Sequence, residues 1–311
     1  MTREPLDASA NIDRVLVTGG DGLIGRAVVD HLAARGLDVT VLDIPGTAAP
    51  ARAAARHITG SVTDPDTVRQ AVTGQDAVVH LAGLAGLDRG SAEEIYAGNA
   101  LGAFLVMEAA GRAGVAKVVY ASSINAFGLP LNPDPVLPTH YPWDEDEPAV
   151  IADAYSLSKQ ANEHAAAAIS RNYGMELTGI RFPLVRDIYE HDGTVFAQHI
   201  RRAMNEDPRR QACEGWTYLD TRDAAASVEA ALSRSTPPAP GILVAAPQTY
   251  LRQSTEEALA RYAPAVPRDS VPGRDIPVSL HRASDLLDFK AEHTLEQISE
   301  ALLVDLKDIN P

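Results

Sequence analysis

A cluster of glycines between a short apolar segment and a helical pattern constrains this chain more than any other feature. The stretch VLVTGGDGLIG begins with apolar residues and then has four glycines within seven positions: Gly19, Gly20, Gly22 and Gly25. The apolar segment predicts a buried strand, and residues 22–35 predict a helix. Glycines at such a turn let the backbone bend sharply, approach a diphosphate and pack closely. The free amides and the dipole at the helix start favour an anion.

An acidic residue in the next predicted strand supports a dinucleotide rather than a simple glycine-rich turn. Asp43 ends that strand, 18 positions after Gly25. An acid about 20 residues beyond the last glycine can hydrogen-bond the ribose hydroxyls of an adenosine. Its carboxylate would also repel the 2′-phosphate of NADP, so we expect NAD as the cofactor. Arg52 and Arg56 keep NADP open as the less favoured alternative.

Strand and helix signals alternate through the first part of the chain. Strands are predicted at 14–19, 37–43, 56–62, 76–83, 116–123 and 175–182, and helices at 22–35, 65–73, 91–113 and 153–173. This alternation predicts a parallel sheet with helices on both faces. The expected fold class is therefore α/β, a Rossmann-type doubly wound parallel sheet with a small C-terminal substrate-binding lobe.

The pattern changes after about residue 186. We expect a loop with a short strand at 207–223, a strand at 241–247 that returns to the sheet, and helices at 221–233, 254–262 and 295–306. The predicted division is a flexible tail at 1–12, an NAD-binding domain at 13–185 completed by 220–247, and a small substrate-binding lobe formed by 186–219 and 248–311.

Composition excludes several kinds of partner. The chain has 311 residues, 45% of them hydrophobic, and a formal net charge of -15, which repels nucleic acid and anionic membranes. Its single cysteine, Cys213, cannot form an internal disulfide and fits a reducing compartment. The first 13 residues lack the apolar core of a signal peptide, and no segment is apolar for long enough to span a membrane. We therefore expect a cytoplasmic protein that binds neither nucleic acid nor membrane.

Two side chains in AYSLSKQ predict acid–base chemistry. Tyr155 and Lys159 are four residues apart on a predicted helix and so lie on one face. A neighbouring ammonium is expected to lower the pKa of the phenol so that tyrosine can act as a base. The chain has only four lysines, which makes a chance pair less plausible. Upstream, Ser122 and Ser123 end the fifth predicted strand, at the sheet edge where ligands of parallel sheets bind.

Taken together, these segments make the chain similar to the extended short-chain dehydrogenase/reductase superfamily, of the NAD-dependent epimerase/dehydratase type. The resemblance runs from about 13 to 235. It is carried by TGGDGLIG, Asp43, HLAG at 80–83, GNALGAFLVMEAA at 98–110, YASSINAFG at 120–128 and YSLSK at 155–159.

The resemblance implies roles for individual residues. Ser123 and Tyr155 would bind the reacting oxygen, Lys159 would hold the nicotinamide ribose, and Asn99 would support the active-site helix and its water. Cofactor contacts are implied for Gly19, Gly22, Leu23, Ile24, Gly25, Asp43, Ser61, Val62, Leu81, Ala82, Gly83, Tyr155, Lys159, Phe182 and Pro183. No metal is implied. The implied reaction transfers hydride between a substrate carbon and the nicotinamide, which interconverts a secondary alcohol and a ketone. A homodimer through helices 91–113 and 153–173 is also implied.

Four departures from the family pattern bear on the substrate. Ser61 replaces an aspartate that contacts adenine in many relatives. Ile124 and Asn125 stand where dehydratases have an Asp-Glu pair, which disfavours dehydration. Leu184 replaces the asparagine of sugar-nucleotide epimerases, and Phe127 replaces a common tyrosine. We expect a carbohydrate-like small molecule without a nucleotide, such as a free sugar, a sugar acid or a polyol. The alternatives are a nucleotide-sugar (UDP-sugar) 4-epimerase and a non-catalytic NAD-binding regulator.

The loop from 129 to 153 is expected to border the substrate. His140, Tyr141 and Trp143 could contact a sugar ring or belong to an ordinary proline-stiffened loop. Arg186 could meet a substrate carboxylate or pair with Asp187 or Glu190 nearby.

Two further residues are expected to have no catalytic role. Asp223 is predicted to cap the helix that follows it, and Cys213 to be inert.

Overall fold

The computed structural model describes residues 12–46, 50–134, 136–236 and 239–309, so the predicted tail lies almost wholly outside it. Its strands are β1 (Arg14–Thr18), β2 (Asp38–Asp43), β3 (Arg56–Thr59), β4 (Ala77–His80), β5 (Lys117–Ser123), β6 (Glu176–Phe182), β7 (Leu184–Arg186), β8 (Tyr218–Asp220) and β9 (Ala239–Leu243). Seven of them form a parallel sheet in the order β3-β2-β1-β4-β5-β6-β9, and β7 pairs with β8. The first six positions have the order of a doubly wound dinucleotide-binding sheet. The predicted fold class is confirmed.

Helices cover both faces of this sheet. They are α1 (Leu23–Ala34), α2 (Pro65–Val72), α3 (Ala92–Tyr96), α4 (Gly102–Ala113), α5 (Ala154–Tyr173), α6 (Thr194–Glu206), α7 (Pro208–Cys213), α8 (Thr221–Ser233), α9 (Thr255–Tyr262), α10 (His281–Leu287) and α11 (Leu295–Ile298). A π-helical turn, Ala97–Leu101, joins α3 to α4. None of the described helices is long and apolar enough to cross a membrane.

The alternation of side chains along β1 explains why two helical layers form. Val15 and Val17 pack in the core with α1 and α8, whereas Leu16 packs in the core with α2, α4 and α5. All three side chains are fully buried, as expected for a parallel strand with two covered faces. The carboxyl ends of β1, β2, β4, β5 and β6 therefore meet at one open edge.

A third apolar core lies beyond that edge. It contains Phe196 of α6, Trp216, Tyr218 of β8 and Tyr250, together with Tyr141 and Trp143 from the loop after β5. This core connects the segments that follow β6 to the loop between β5 and α5. The domain boundaries given above remain a prediction.

Two of the predicted elements were wrong. The segment assigned to a loop contains α7, which begins after Asp207 with Pro208 at its first position; the Asp207 side chain accepts a hydrogen bond from Arg210 N–H at 2.9 Å. The helix predicted at 295–306 ends at Ile298, because Ser299 caps a separate 3-10 turn, Glu300–Leu302.

Candidate active site

The glycine turn between β1 and α1 is packed so tightly that two of its glycines have no room for a side chain. Gly19 has φ +73°, and a Cβ there would lie 2.6 Å from the backbone nitrogen of Ala82. A Cβ on Gly25 would overlap the carbonyl oxygen of Gly19. Gly22 is the N-cap of α1, and no described side chain caps this helix start. Its amide groups are therefore available to an anion.

Asp43 lies beside this turn, held by two backbone amides. Its Oδ2 accepts a hydrogen bond from Asp21 N–H at 2.9 Å, and its Oδ1 accepts one from Ile44 N–H at 2.8 Å. Asp21, which the sequence reasoning missed, accepts a hydrogen bond from Ala51 N–H at 2.7 Å and so holds the segment after β2 against the turn. Within the part of the chain described, neither Arg52 nor Arg56 forms an ion pair with Asp43.

The other predicted cofactor residues lie along the same edge of the sheet. Among them, Ser61 hydrogen-bonds a residue of its own loop. Leu81 N–H donates to the Thr18 carbonyl at 3.0 Å, which brings the segment after β4 against β1. Phe182 is buried at the end of β6, and Ser61 accepts a hydrogen bond from Thr63 N–H at 3.1 Å. Leu23 and Ile24 open α1, Ala82 and Gly83 follow Leu81, Pro183 follows Phe182, and Val62 packs beside Gly102.

Asn99 connects the segment after β4 to α5. It is buried in the π-helical turn, and its Oδ1 accepts a hydrogen bond from Leu84 N–H at 2.7 Å. Its Nδ2 donates to the Leu84 carbonyl at 3.1 Å and to Ser158 Oγ at 3.2 Å. A Cβ on Gly83 would lie 2.9 Å from Asn99 Oδ1 and 3.9 Å from Lys159 Nζ, so the cofactor edge and the predicted catalytic lysine are adjacent.

Ser123, Tyr155 and Lys159 come together at the end of β5, where all three are buried. Asp153 caps α5 by accepting a hydrogen bond from Ser156 N–H at 2.7 Å, which places Tyr155 in the first turn. The Ser123 hydroxyl hydrogen-bonds the phenol. Lys159 Nζ donates to the Ala121 carbonyl at 3.0 Å and lies 5.6 Å from the centre of the tyrosine ring.

The expected effect of the lysine on the phenol was wrong for this state of the site. Burial raises the pKa of Tyr155, and the hydrogen bond with Ser123 opposes that rise only in part. Burial also lowers the pKa of Lys159 to about 8, against the opposing charge of Glu163. Burial disfavours the charged phenolate, and this effect outweighs the hydrogen bond with Ser123.

A buried ion pair lies close to Lys159, the predicted catalytic lysine. Glu163 is on α5, four residues beyond Lys159, and accepts hydrogen bonds from Arg181 Nε and Nη2, both at 2.8 Å. Ser122 Oγ donates to the same carboxylate at 2.6 Å. Arg181 also lies 4.1 Å from the centre of the Phe127 ring. These contacts fix α5 against β5 and β6.

The charge of a carboxyl group that no sequence motif signals also acts on the phenol. Glu214 follows α7, and its negative charge raises the pKa of Tyr155. Burial raises the pKa of Glu214 itself to about 7, with Arg210 opposing. Only the packing of the third core against the sheet edge brings these residues together, so spacing along the chain could not reveal them.

The two aromatic candidates in the loop after β5 belong to the third core. Tyr141 is buried, and its hydroxyl donates to the Ala212 carbonyl at 3.0 Å. Trp143 packs edge-on against Phe127 at 5.1 Å between ring centres. Because both side chains are buried within the protein, they are structural, and only the partly exposed His140 keeps the option of contacting a ligand.

Arg186 does not pair with its acidic neighbours. Its guanidinium donates to the Val185 carbonyl at 2.8 Å, and Asp187 instead accepts a hydrogen bond from Tyr189 N–H at 3.0 Å. Burial and the charge of Arg89 both lower the pKa of Arg186. Arg89 pairs with Asp88 at 3.8 Å, whereas no described carboxylate forms an ion pair with Arg186.

The prediction for Asp223 was wrong, because Asp220 caps α8 instead. Asp220 accepts a hydrogen bond from Arg222 N–H at 2.9 Å. Asp223 lies in the first turn, buried, and accepts hydrogen bonds from the backbone N–H groups of Glu292 and His293. Cys213 is buried, and burial raises the pKa of its thiol to about 12, which agrees with an inert cysteine.

Comparison with known proteins gives consistent results. Residues 15–246 match the model of the NAD dependent epimerase/dehydratase family. A dTDP-glucose 4,6-dehydratase of Streptomyces niveus is 32% identical over 184 residues, covering 54% of this chain and 52% of the relative. A uronate dehydrogenase of Pseudomonas putida is 31% identical over 169 residues, covering 54% of this chain and 60% of the relative. The matches thus span somewhat more than half the length of these relatives.

Structural comparison extends the likeness to the whole fold. A short-chain dehydrogenase/reductase superfamily protein from Agrobacterium tumefaciens, solved with bound NAD, has a TM-score of 0.69 and 24% identity. The alignment covers 93% of this chain and 95% of that one. The shared fold therefore includes most of the chain after β6.

Proposed function

The chain belongs to the NAD-dependent epimerase/dehydratase family, and from that premise we propose that it is an NAD-dependent oxidoreductase that interconverts a secondary alcohol and a ketone on a sugar, sugar acid or similar substrate. One observation carries the proposal. The hydrogen-bonded pair Ser123 and Tyr155 lies with Lys159 at the same sheet edge as the uncapped glycine turn. Gly83 and Asn99 lie between the two parts of the site.

Each of the three clustered side chains would have a separate role in the proposed reaction. Bound NAD would supply the hydride acceptor. Tyr155 would take the proton of the substrate hydroxyl, and Ser123 would hold that oxygen in place. Lys159, with its pKa near 8, would carry positive charge at neutral pH and favour the phenolate as it forms. Holding these groups in fixed positions supplies much of the rate.

Asp43 supports NAD over NADP. Its carboxylate is fixed by two amides beside the glycine turn and has remaining acceptor capacity for ribose hydroxyls. A 2′-phosphate at that position would meet a negative charge. We therefore propose NAD as the cofactor.

A sugar acid is favoured within the proposed substrate class. Arg89 and Arg186 follow the strands on either side of β5, which ends at Ser123, and the charge of Arg89 reaches Arg186. Arg89 pairs with Asp88 at 3.8 Å, whereas no described carboxylate pairs with Arg186. Paired guanidinium groups bind carboxylates well. The uronate dehydrogenase of Pseudomonas putida, at 31% identity, is consistent with such a substrate. Dehydration is disfavoured because Ile124 and Asn125 supply no acid beside Ser123.

A panel of substrates tests this proposal. We expect net NADH formation, followed by absorbance, with free sugars or sugar acids and NAD. A nucleotide-sugar 4-epimerase would instead convert UDP-sugars without accumulating NADH. That second outcome, with no NADH from any free sugar or sugar acid, would overturn the dehydrogenase proposal in favour of the epimerase.

A further inference from the structure

Three side chains on one side of α5 contact three consecutive residues at the end of β5. Tyr155, Lys159 and Glu163 are each four residues apart, which places them in a row along the helix. The Tyr155 phenol hydrogen-bonds the hydroxyl of the last residue of β5. The Lys159 ammonium donates to the Ala121 carbonyl at 3.0 Å, and the Glu163 carboxylate accepts from the Ser122 hydroxyl at 2.6 Å. The third member of the row thus contacts the same strand end as the two predicted catalytic residues.

The Lys159 ammonium is buried without a directly bound carboxylate. Its described hydrogen bond is to a neutral carbonyl group, and Glu163, one turn further along α5, forms its ion pair with Arg181 instead. Burial lowers the pKa of Lys159 to about 8, and the charge of Glu163 opposes that change. Because burial disfavours a charged amine, the protonated lysine depends on the charges that surround it.

The Glu163 carboxylate is fixed by three donors. Arg181, on β6, donates from Nε and Nη2, both at 2.8 Å, and Ser122 donates at 2.6 Å. The glutamate and the arginine are both buried, so water competes little for these hydrogen bonds. A Cβ on Gly241 of β9 would lie 2.5 Å from Glu163 Oε1, so the neighbouring strand also confines the carboxylate. Hydrogen bonds of this kind favour the ionised form, so a fixed negative charge lies one helical turn from the lysine.

The other titratable groups around this ammonium are neutral at pH 7. Burial lowers the pKa of His80, at the end of β4, to about 3. Burial also raises the pKa values of Tyr155 on α5 and Tyr120 on β5 above their ordinary value of 10.0. Among the described residues, the charges beside the lysine are therefore those of Glu163 and, beyond it, Arg181.

We propose that Glu163 is a positioning residue for the reaction: its carboxylate, held by Arg181, keeps Lys159 protonated beside Tyr155. This inference rests on the proposed dehydrogenase function. A protonated lysine favours the phenolate form of Tyr155, which is the form that can accept the proton of the substrate hydroxyl. The role requires the charge of Glu163 and not only its hydrogen bonds, because a neutral amide in its place would leave the buried lysine without a nearby negative charge.

The first test follows the protonation of Lys159 directly, in the full chain. There are only four lysines, so protein labelled with ¹³C at the lysine Cε gives four NMR signals, and that of Lys159 is the one absent in Lys159→Met. We expect a titration midpoint near pH 8 in the wild type. Glu163→Gln should lower this midpoint by roughly one pH unit or more, because a charge one helical turn away is lost.

Two further variants separate the charge of Glu163 from its packing. Glu206→Gln removes an exposed carboxylate that pairs with an arginine on α6, and should leave the midpoint unchanged. The double variant Glu163→Gln/Arg181→Gln has no unpaired buried charge, so it should fold even where the single variant does not. Its midpoint should lie below that of the wild type but above that of Glu163→Gln, because the opposing charge of Arg181 is also gone. Circular dichroism reports the folding of each variant.

The second test is the pH dependence of turnover. The kcat/KM for the sugar should fall as Lys159 loses its proton, above about pH 8 in the wild type and at lower pH in Glu163→Gln. At about pH 8 the variant should be roughly fivefold or more slower than the wild type, and at about pH 6 the two should agree within about threefold. A residue that only packed α5 against the sheet would lower both rates by the same factor.

The outcomes separate this inference from the proposed function. A Lys159 midpoint that is the same in the wild type and the folded double variant, or a Glu163→Gln rate lowered equally at both pH values, would overturn the role of Glu163. NADH formation by the wild type would then still keep the dehydrogenase proposal. If the midpoint falls as expected but the wild type forms no NADH from any sugar or sugar acid, the effect of Glu163 on Lys159 is supported and the proposed function is overturned.

Discussion

Ser122 and Ser123 are consecutive in sequence, yet their hydroxyl groups serve different partners. Ser122 Oγ donates to the buried Glu163 carboxylate at 2.6 Å, whereas the Ser123 hydroxyl hydrogen-bonds the Tyr155 phenol. In the sheet register, Ser122 lies opposite Arg181 and Ser123 opposite Phe182. The pleat of β5 therefore separates a structural serine from a proposed catalytic one.

This separation predicts opposite effects of two equivalent substitutions. Ser123→Ala should lower kcat roughly 100-fold, because the oxygen loses its positioning group. It should also lower the free energy of unfolding by about 1 kcal/mol, because Ser123 Oγ accepts a hydrogen bond from Asn125 N–H at 3.1 Å. Ser122→Ala should retain most activity but lower the free energy of unfolding by about 1 to 3 kcal/mol, since a hydrogen bond to a charged group is lost. Urea unfolding and initial rates measure both, and reversed effects would contradict the assignment.

Tyr155→Phe should abolish the proton transfer and leave cofactor binding intact. We expect a loss of roughly 100-fold or more in kcat. The affinity for NAD, measured by calorimetry, should stay within about twofold, because the ring still fills its place. Turnover close to that of the wild type would show that Tyr155 does not accept the proton of the substrate.

Asp43→Asn should weaken NAD binding and reduce the preference of the protein for NAD over NADP. The side chain keeps its shape but loses the charge that favours ribose hydroxyls and opposes a 2′-phosphate. We expect roughly 10- to 100-fold weaker NAD binding by calorimetry. An unaltered dissociation constant would show that the ribose contact is absent.

The lowered pKa of Lys159 predicts how stability depends on pH. The pKa is about 8 in the folded protein against an ordinary value of 10.5, so the unfolded chain binds this proton more tightly. Its contribution to stability is therefore unfavourable at neutral pH and becomes less so as pH rises from about 8 to 10.5. The destabilisation of Lys159→Met relative to wild type should accordingly grow over that window in urea titrations. No pH dependence of the difference would argue against a desolvated lysine.

Exposed apolar side chains predict a homodimer. Leu101 and Phe104 at the start of α4 are 47% and 44% exposed, and Leu157 on α5 is 47% exposed. Clustered exposed apolar residues are typical of interfaces. Phe104→Glu should convert a dimer to a monomer in light scattering, whereas Val195→Glu, at a comparably exposed site on α6, should not. A monomeric wild type would rule out the dimer.

The sequence predicted the sheet well, because β1, β2 and β4 are short, largely apolar runs buried on both faces, whereas the edge strand β3 is mostly exposed. The glycine turn could be predicted equally well from the sequence. Gly25 is required by its contact with Gly19, and Gly19 by its contact with the segment after β4. The region after β6 was harder. In α6 the buried residues Phe196, Ile200 and Met204 recur at helical spacing, but charged neighbours obscure that pattern.

Site properties that depend on burial could not be read from the chain. The spacing of Tyr155 and Lys159 correctly predicted that they share a helix, but not that burial raises the pKa of the phenol. The charge of Glu214 acts on Tyr155 from about 60 positions away in sequence, and no motif signals it. Burial also decided the place of Tyr141 and Trp143. These aromatic residues lie in a loop predicted to border the substrate, but they belong to the third apolar core.

The π-helical turn at Ala97–Leu101 makes the site sensitive to chain length. Such a turn accommodates one more residue than a regular helix. Deleting a single residue there would let a continuous α-helix form while α3 and α4 keep their orientation, because the wider turn is what absorbs the extra residue. The residues of the turn itself would shift, and Asn99 would lose its contacts with Leu84 and Ser158. The extra residue is thus what holds the Asn99 side chain between the segment after β4 and α5.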